Sequence, residues 1–273
     1  MVGRAATVLS ARRTGWPLAG LLAALVAWDA LASSLPGLSE GLDVVLVAAV
    51  LIPAAFAVPW LLLPVADGRF LLPGALGLVA ACVLLDLAGL GAGFNVAKLV
   101  TFTLLGLWFL RLFEELSWVV LVAALIPWAD IFSVYRGPTR EVIEERPGVF
   151  ERIAVEFSIP GEDAAARIGP PDVFFFALFL AAAARFGLRA GATWLGMTLG
   201  LSLTLLATYA FDVAGLPALP GIALGFLLPN LDLLWRALRS RSARQSRSAF
   251  GSTKPSEIAG RAGSPATSST SVA

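Results

Sequence analysis

The chain has 273 residues, of which 58% are hydrophobic and 14% charged, with a net charge of +1. A soluble domain is about half apolar and a quarter charged, so this composition excludes an ordinary soluble domain and fits a polytopic membrane protein. The near-zero charge gives no basis for a nucleic-acid partner, and with no histidine and one cysteine, Cys82, a His-ligated zinc site, Ser-His and Cys-His nucleophiles and an internal disulfide are all excluded.

Apolar runs bounded by charges or turn residues predict an all-α polytopic membrane protein with eight transmembrane helices. They fall at about 17–34, 43–63, 70–90, 94–112, 116–135, 171–186, 191–211 and 216–236. The first run, "WPLAGLLAALVAWDALASS", has basic residues ahead of it and an Ala30-Leu31-Ala32 triplet, as a cleaved signal peptide does. Asp29 just before the triplet argues for a retained span. The polar break "RLFEEL" divides the fourth and fifth helices, because an uninterrupted helix over 94–135 would be too long for a bilayer. Glycines spaced four apart, Gly196 with Gly200 and Gly221 with Gly225, fit close helix packing.

The predicted organisation is a four-helix membrane region over 1–112, a second membrane region over 113–238, and a disordered tail over 239–273. Within the second region lies one substantial polar loop, 136–170. The tail follows the basic stretch "RALRSRSARQSRSAF" and carries too little apolar surface to offset its chain entropy. Arg4, Arg12 and Arg13, then Arg185 and Arg189, then Arg236 to Arg247 fall on one side if the spans number eight. The positive-inside rule makes that side the cytoplasm. The expected location is therefore the cell membrane, with both termini cytoplasmic, loop 136–170 outside and lipid as the immediate partner.

Two acids stand out. Asp130 follows "WVVLVAALIPWA" and precedes "IFSVY"; Asp172 follows Pro170 and Pro171 and precedes "VFFFALFL". An acid inside hydrocarbon costs several kcal/mol and marks a functional site by default. Asp130 lies about five residues, roughly 7 Å, before the outer end of its helix, and Asp172 enters the next helix from the same loop. Consecutive helices run antiparallel, so the two carboxylates are expected on one side of the bilayer at similar depth. For Asp172 the alternative is a helix N-cap after two prolines. If the two meet, they cannot both ionise cheaply and share a proton. The pair then suits hydrolysis of a peptide bond, with no metal and no cofactor.

These stretches resemble the intramembrane aspartyl proteases, the presenilin and signal peptide peptidase family. That family carries Tyr-Asp in one helix, Gly-x-Gly-Asp at the start of the next and Pro-Ala-Leu at the head of the last. Here they appear as "PWADIFSVYRGPTR", "RIGPPDVFFF" and "GLPALPG", in the same order, with the likeness covering about 109–235. Two departures are Ala129 in place of Tyr and Pro171 in place of the second Gly. The predicted eight spans also differ from the family's nine. The resemblance implies that Asp130 and Asp172 are catalytic, that Gly169, Pro217, Ala218 and Leu219 hold substrate, and that transmembrane or signal-peptide helices are the substrates. Physically, Pro217 and Pro220 remove two N–H donors and leave a backbone edge for an extended segment. Two alternatives stay open. One is a catalytically inactive, presenilin-like scaffold or helix-binding protein. The other is a transporter using Asp29, Asp86, Lys98, Asp212 and Asp232, residues whose default is snorkelling or local pairing.

Overall fold

The computed structural model describes residues 2–136, 152–162, 165–213, 216–237 and 239, with side chains from Gly15 onward apart from 135 and 136. The predicted tail beyond 239 and the loop segment 137–151 lie outside the described residues. Residues Met1–Leu231 form one compact unit and Asp232–Ala273 a second; in the second, 232–237 are helical.

The first unit is mostly helical. Helix α1 spans Val2–Leu31. α2 covers Glu40–Val65 and is interrupted by a π turn at Val47–Leu51. α3 is Leu71–Leu87, α4 Gly91–Phe109 and α5 Leu116–Arg136. After the polar segment come α6, Pro170–Arg185, α7, Ala190–Ala210, and α8, Leu219–Leu227. These match the predicted runs to within a few residues, except that α1 starts earlier and a 3-10 turn at Leu228–Asn230 follows α8. Five segments are long and apolar enough to cross a membrane: Gly15–Ser34, Glu40–Val65, Gly91–Leu112, Leu116–Val134 and Ala190–Ala210. Large apolar side chains such as Leu84 and Leu87 of α3, Trp128 and Phe132 of α5 and Leu203 of α7 are exposed. Water would penalise such a surface and lipid does not.

α6 occupies the centre. Between Asp172 and Arg185 it is apolar on every face, and residues 176–183 are all buried, as befits a helix enclosed by others. It packs against α2, α4, α5, α7 and α8. Its phenylalanines carry the contacts: Phe176 meets Phe56 of α2 at 4.2 Å between ring centres, Phe174 meets Phe109 of α4 at 5.3 Å, and Phe179 stacks on Phe226 of α8 at 5.0 Å.

Glycines set the closest approaches. A Cβ on Gly196 of α7 would lie 2.7 Å from Gly225 O of α8, and one on Gly221 would lie 2.8 Å from Gly200 O. The two glycine pairs therefore face each other across the α7–α8 seam. Gly106 of α4 plays the same part against the α6 backbone at Phe174 and Leu178.

The polar loop also contains regular structure that hydropathy did not reveal. Val155–Ser158 (β1) pairs antiparallel with Ala165–Ile168 (β2), in the register Val155 to Ile168 and Ser158 to Ala165. Val155 and Phe157 are buried while Glu156 and Ser158 are only partly so. Two apolar residues in alternation make too short a pattern to stand out inside a charged loop.

Candidate functional site

Asp130 lies on α5 three residues after Pro127, which lacks the N–H needed to complete that turn of helix. Its Oδ2 accepts the Leu219 N–H at 3.0 Å, and the Ala218 amide lies beside the same carboxylate. Leu219 is the first residue of α8. The first N–H groups of any helix lack intrahelical partners, and Pro217-Ala218-Leu219-Pro220 contains none of the Ser, Thr, Asp or Asn residues that ordinarily satisfy them. An acid from another helix, 89 positions away in sequence, does so instead.

Asp172 lies in the first turn of α6. Gly169 precedes the helix in extended conformation, with φ −66° and ψ 149°, and donates its N–H to Asp172 Oδ2 at 3.2 Å. Pro170 and Pro171 fill the first two helical positions, where a missing N–H costs nothing and the fixed φ is already helical. Asp172 therefore helps close its own helix start, but from the third helical position, with Gly169 rather than Asp172 as the N-cap. Its helix packs against both α5, which carries Asp130, and α8, whose first N–H Asp130 accepts. Both carboxylates are part-buried. In each, Oδ2 is the atom engaged with backbone.

The structure thus brings Asp130, Asp172, Gly169, Ala218 and Leu219 into one neighbourhood at the starts of α6 and α8. Pro217 lies at its edge, lining an open apolar groove of about 710 Å³. The groove follows the α7–α8 seam past Gly196, Gly200, Thr204 and Gly221, and takes in Ile131, the neighbour of Asp130 on α5. Trp128 and Ala129, which precede Asp130, are both exposed.

Asp29, Asp86 and Lys98, expected to snorkel or to pair, are paired, and with Trp28 and Asn95 they form a second polar set. Trp28 Nε1 donates to Ser158 O at 3.1 Å, and Ser158 Oγ donates to Asp29. Asn95 Nδ2 donates to Glu156 O at 2.6 Å and its Oδ1 accepts the Glu156 N–H at 2.8 Å. Lys98 Nζ donates to Ala154 O. Asp86 meets Arg152 at 3.5 Å. Their partners lie in the 152–158 segment, far away in sequence. The one signal that could have revealed them is the pair of polar residues Asn95 and Lys98, three apart on one face of an otherwise apolar helix. Asp212 closes α7 with a positive φ of 49°, a helix-end conformation that Asp tolerates.

Comparison of the sequence with protein-family models and with curated proteins finds no match.

Proposed function

We propose that the protein is an intramembrane aspartyl protease that hydrolyses peptide bonds of transmembrane or signal-like helices, with Asp130 and Asp172 as the reacting pair. One observation carries this reading: Asp130 of α5 meets the Leu219 N–H at the start of α8, and Asp172 opens α6, which packs against both α5 and α8. Two acids at such a site share one proton. The charged member takes a proton from water as the water attacks the scissile carbonyl, while the protonated member gives its proton to the carbonyl oxygen. As the tetrahedral intermediate collapses and its C–N bond breaks, the acid that took up the water proton gives it to the leaving nitrogen, and the other carboxylate takes the proton of a diol hydroxyl, so that the pair again holds one proton. The pair titrates as a unit, so neither acid is assigned a fixed role.

In this reading eight segments span the bilayer, the last being the predicted run 216–236 that contains α8, both termini are cytoplasmic and the hairpin of β1 and β2 is outside. The arrangement resembles signal peptide peptidase rather than presenilin. Gly169, Pro217, Ala218 and Leu219 border the substrate.

The test uses purified protein in detergent with a helical reporter substrate. Asp130→Ala and Asp172→Ala each remove cleavage, by about 10²-fold or more, the usual contribution of a positioned acid or base. Cleavage that survives both single substitutions rejects the mechanism.

A second reading is favoured by the same hydrogen bonds. Both carboxylates are engaged as helix caps, which is all that a catalytically inactive, helix-binding relative would need of them. A folded protein that neither cleaves nor binds a transition-state-mimicking aspartyl inhibitor supports this second reading.

A further inference from the structure

We propose that Asn95 is a positioning residue that sets Asp172 against Asp130 by acting as a substitute strand on the open edge of β1. The inference rests on Asp130 and Asp172 being the reacting pair.

An antiparallel strand turns the N–H and C=O groups of alternate residues to opposite edges. Glu156 turns both of its groups to the Asn95 side-chain amide, at 2.8 and 2.6 Å. Its neighbours Val155 and Phe157 therefore turn theirs to β2, opposite Ile168 and Ala166. On the Asn95 edge the residues before and after Glu156 in the alternation are held as well, Ala154 O by Lys98 and Ser158 O by Trp28. Of these three side chains only Asn95 offers a donor and an acceptor together, which is what a neighbouring strand offers. It is 7% exposed, and an amide in that setting satisfies both groups or leaves them unpaired at a cost.

The hairpin leads directly to the acid. β2 ends at Ile168, Gly169 follows, and Pro170 and Pro171 open α6. Two prolines fix φ at two successive residues, so little rotation separates β2 from Asp172. Pro171 makes this link stiffer than a glycine would. On the far side of Asp172, α4 holds the chain again: a Cβ on Gly106 would overlap the Phe174 carbonyl and lie 2.9 Å from Ala177 Cβ. Asn95 and Gly106 are both on α4, about 16 Å apart along its axis at 1.5 Å per residue. One helix thus grips the chain before and after Asp172. Asp130 is held separately, through α8.

The consequence separates geometry from binding. Loosening β1 displaces Asp172 and leaves Asp130 and its α8 contact in place. In full-length protein, Asn95→Ala lowers kcat for the helical reporter by 10-fold or more, with KM within 2-fold of the parent. Amide hydrogen exchange of 155–158 and 165–168 accelerates by at least 10-fold, while that of 219–227 is unchanged. Trp28→Phe, which removes one bond and keeps the ring, moves both readouts the same way by a smaller factor. Unchanged kcat, an equal loss through KM, or unchanged exchange in the hairpin overturns the proposal. If Asn95→Ala does not fold, Trp28→Phe decides by the same criteria. If the parent protein shows no cleavage, the protease reading fails on that result. Hairpin exchange with and without Asn95 then supports or overturns the clamp by itself.

Discussion

Asp130 does two jobs that substitution can separate. As a hydrogen-bond acceptor it satisfies the Leu219 N–H at the start of a helix that has no capping side chain of its own. As an acid it is the partner of Asp172 in the proposed mechanism. Asn keeps an acceptor and loses the charge, whereas Ala loses both. Asp130→Ala is therefore expected to lower stability by about 1 kcal/mol, the usual worth of a helix cap, while Asp130→Asn stays within a few tenths of the parent. Under the proposed mechanism both are expected to abolish cleavage. Thermal unfolding in detergent, paired with the reporter assay, reads the two effects apart; an Asn variant as unstable as Ala rejects the capping role. The acid itself is plain from its apolar flanks, but its backbone partner is not. Nothing local marks Leu219 as the group it meets, because the bond joins helices far apart in the chain.

Between α7 and α8 the backbones approach until a single methyl group would not fit. A Cβ on Gly200 would meet the Gly221 carbonyl, with its carbon only 2.6 Å away. Backbone cannot swing aside as a side chain does, so Gly200→Ala is expected to cost about 2 kcal/mol, within the range for overpacking. Gly77 on α3 has nothing within 4 Å of an added Cβ. There Gly77→Ala is neutral or stabilises by up to about 1 kcal/mol, since Ala is the better helix former. Unfolding midpoints of the two variants compared with the parent measure the difference, and equal effects reject the seam. The fourfold glycine spacing was legible because it repeats a helical period. The pairing of the two glycine stripes with each other was not, because periodicity says which face is small and not what it meets. The π turn in α2 was equally silent: its Ala48 carbonyl accepts the Ser202 hydroxyl of α7 at 2.6 Å, and no residue within Val47–Leu51 announces it.

At the scale of the whole molecule, hydropathy and charge placement make one linked prediction. If eight helices cross the bilayer with the arginine-rich segments inside, the β1–β2 turn lies outside and the α4–α5 connection inside. With Cys82 replaced by Ser, single cysteines at the exposed positions Glu162 and Glu114 report this in intact cells. A membrane-impermeant maleimide is expected to label Glu162→Cys from outside and Glu114→Cys only after permeabilisation. The reverse pattern overturns the orientation. The polar loop is where sequence reading and structure part most. Its charges pointed to water and to irregular chain, yet its C-terminal part is a hairpin fastened to α1 and α4 by Trp28, Asp29, Asn95 and Lys98.

The sequence by itself determined the helices, their approximate ends and the two acids that do not belong in hydrocarbon. Those are consequences of composition and period along a single segment, where each residue's solvent preference is independent of what lies across from it. Tertiary structure alone decided that α6 is enclosed, that Asp130 caps α8, and that Asn95 serves as a strand beside β1. These rest on a donor in one helix finding an acceptor in another, and on backbones meeting where neither has a side chain. Complementarity of that kind belongs to a pair of surfaces, so it comes into being only when the chain has folded.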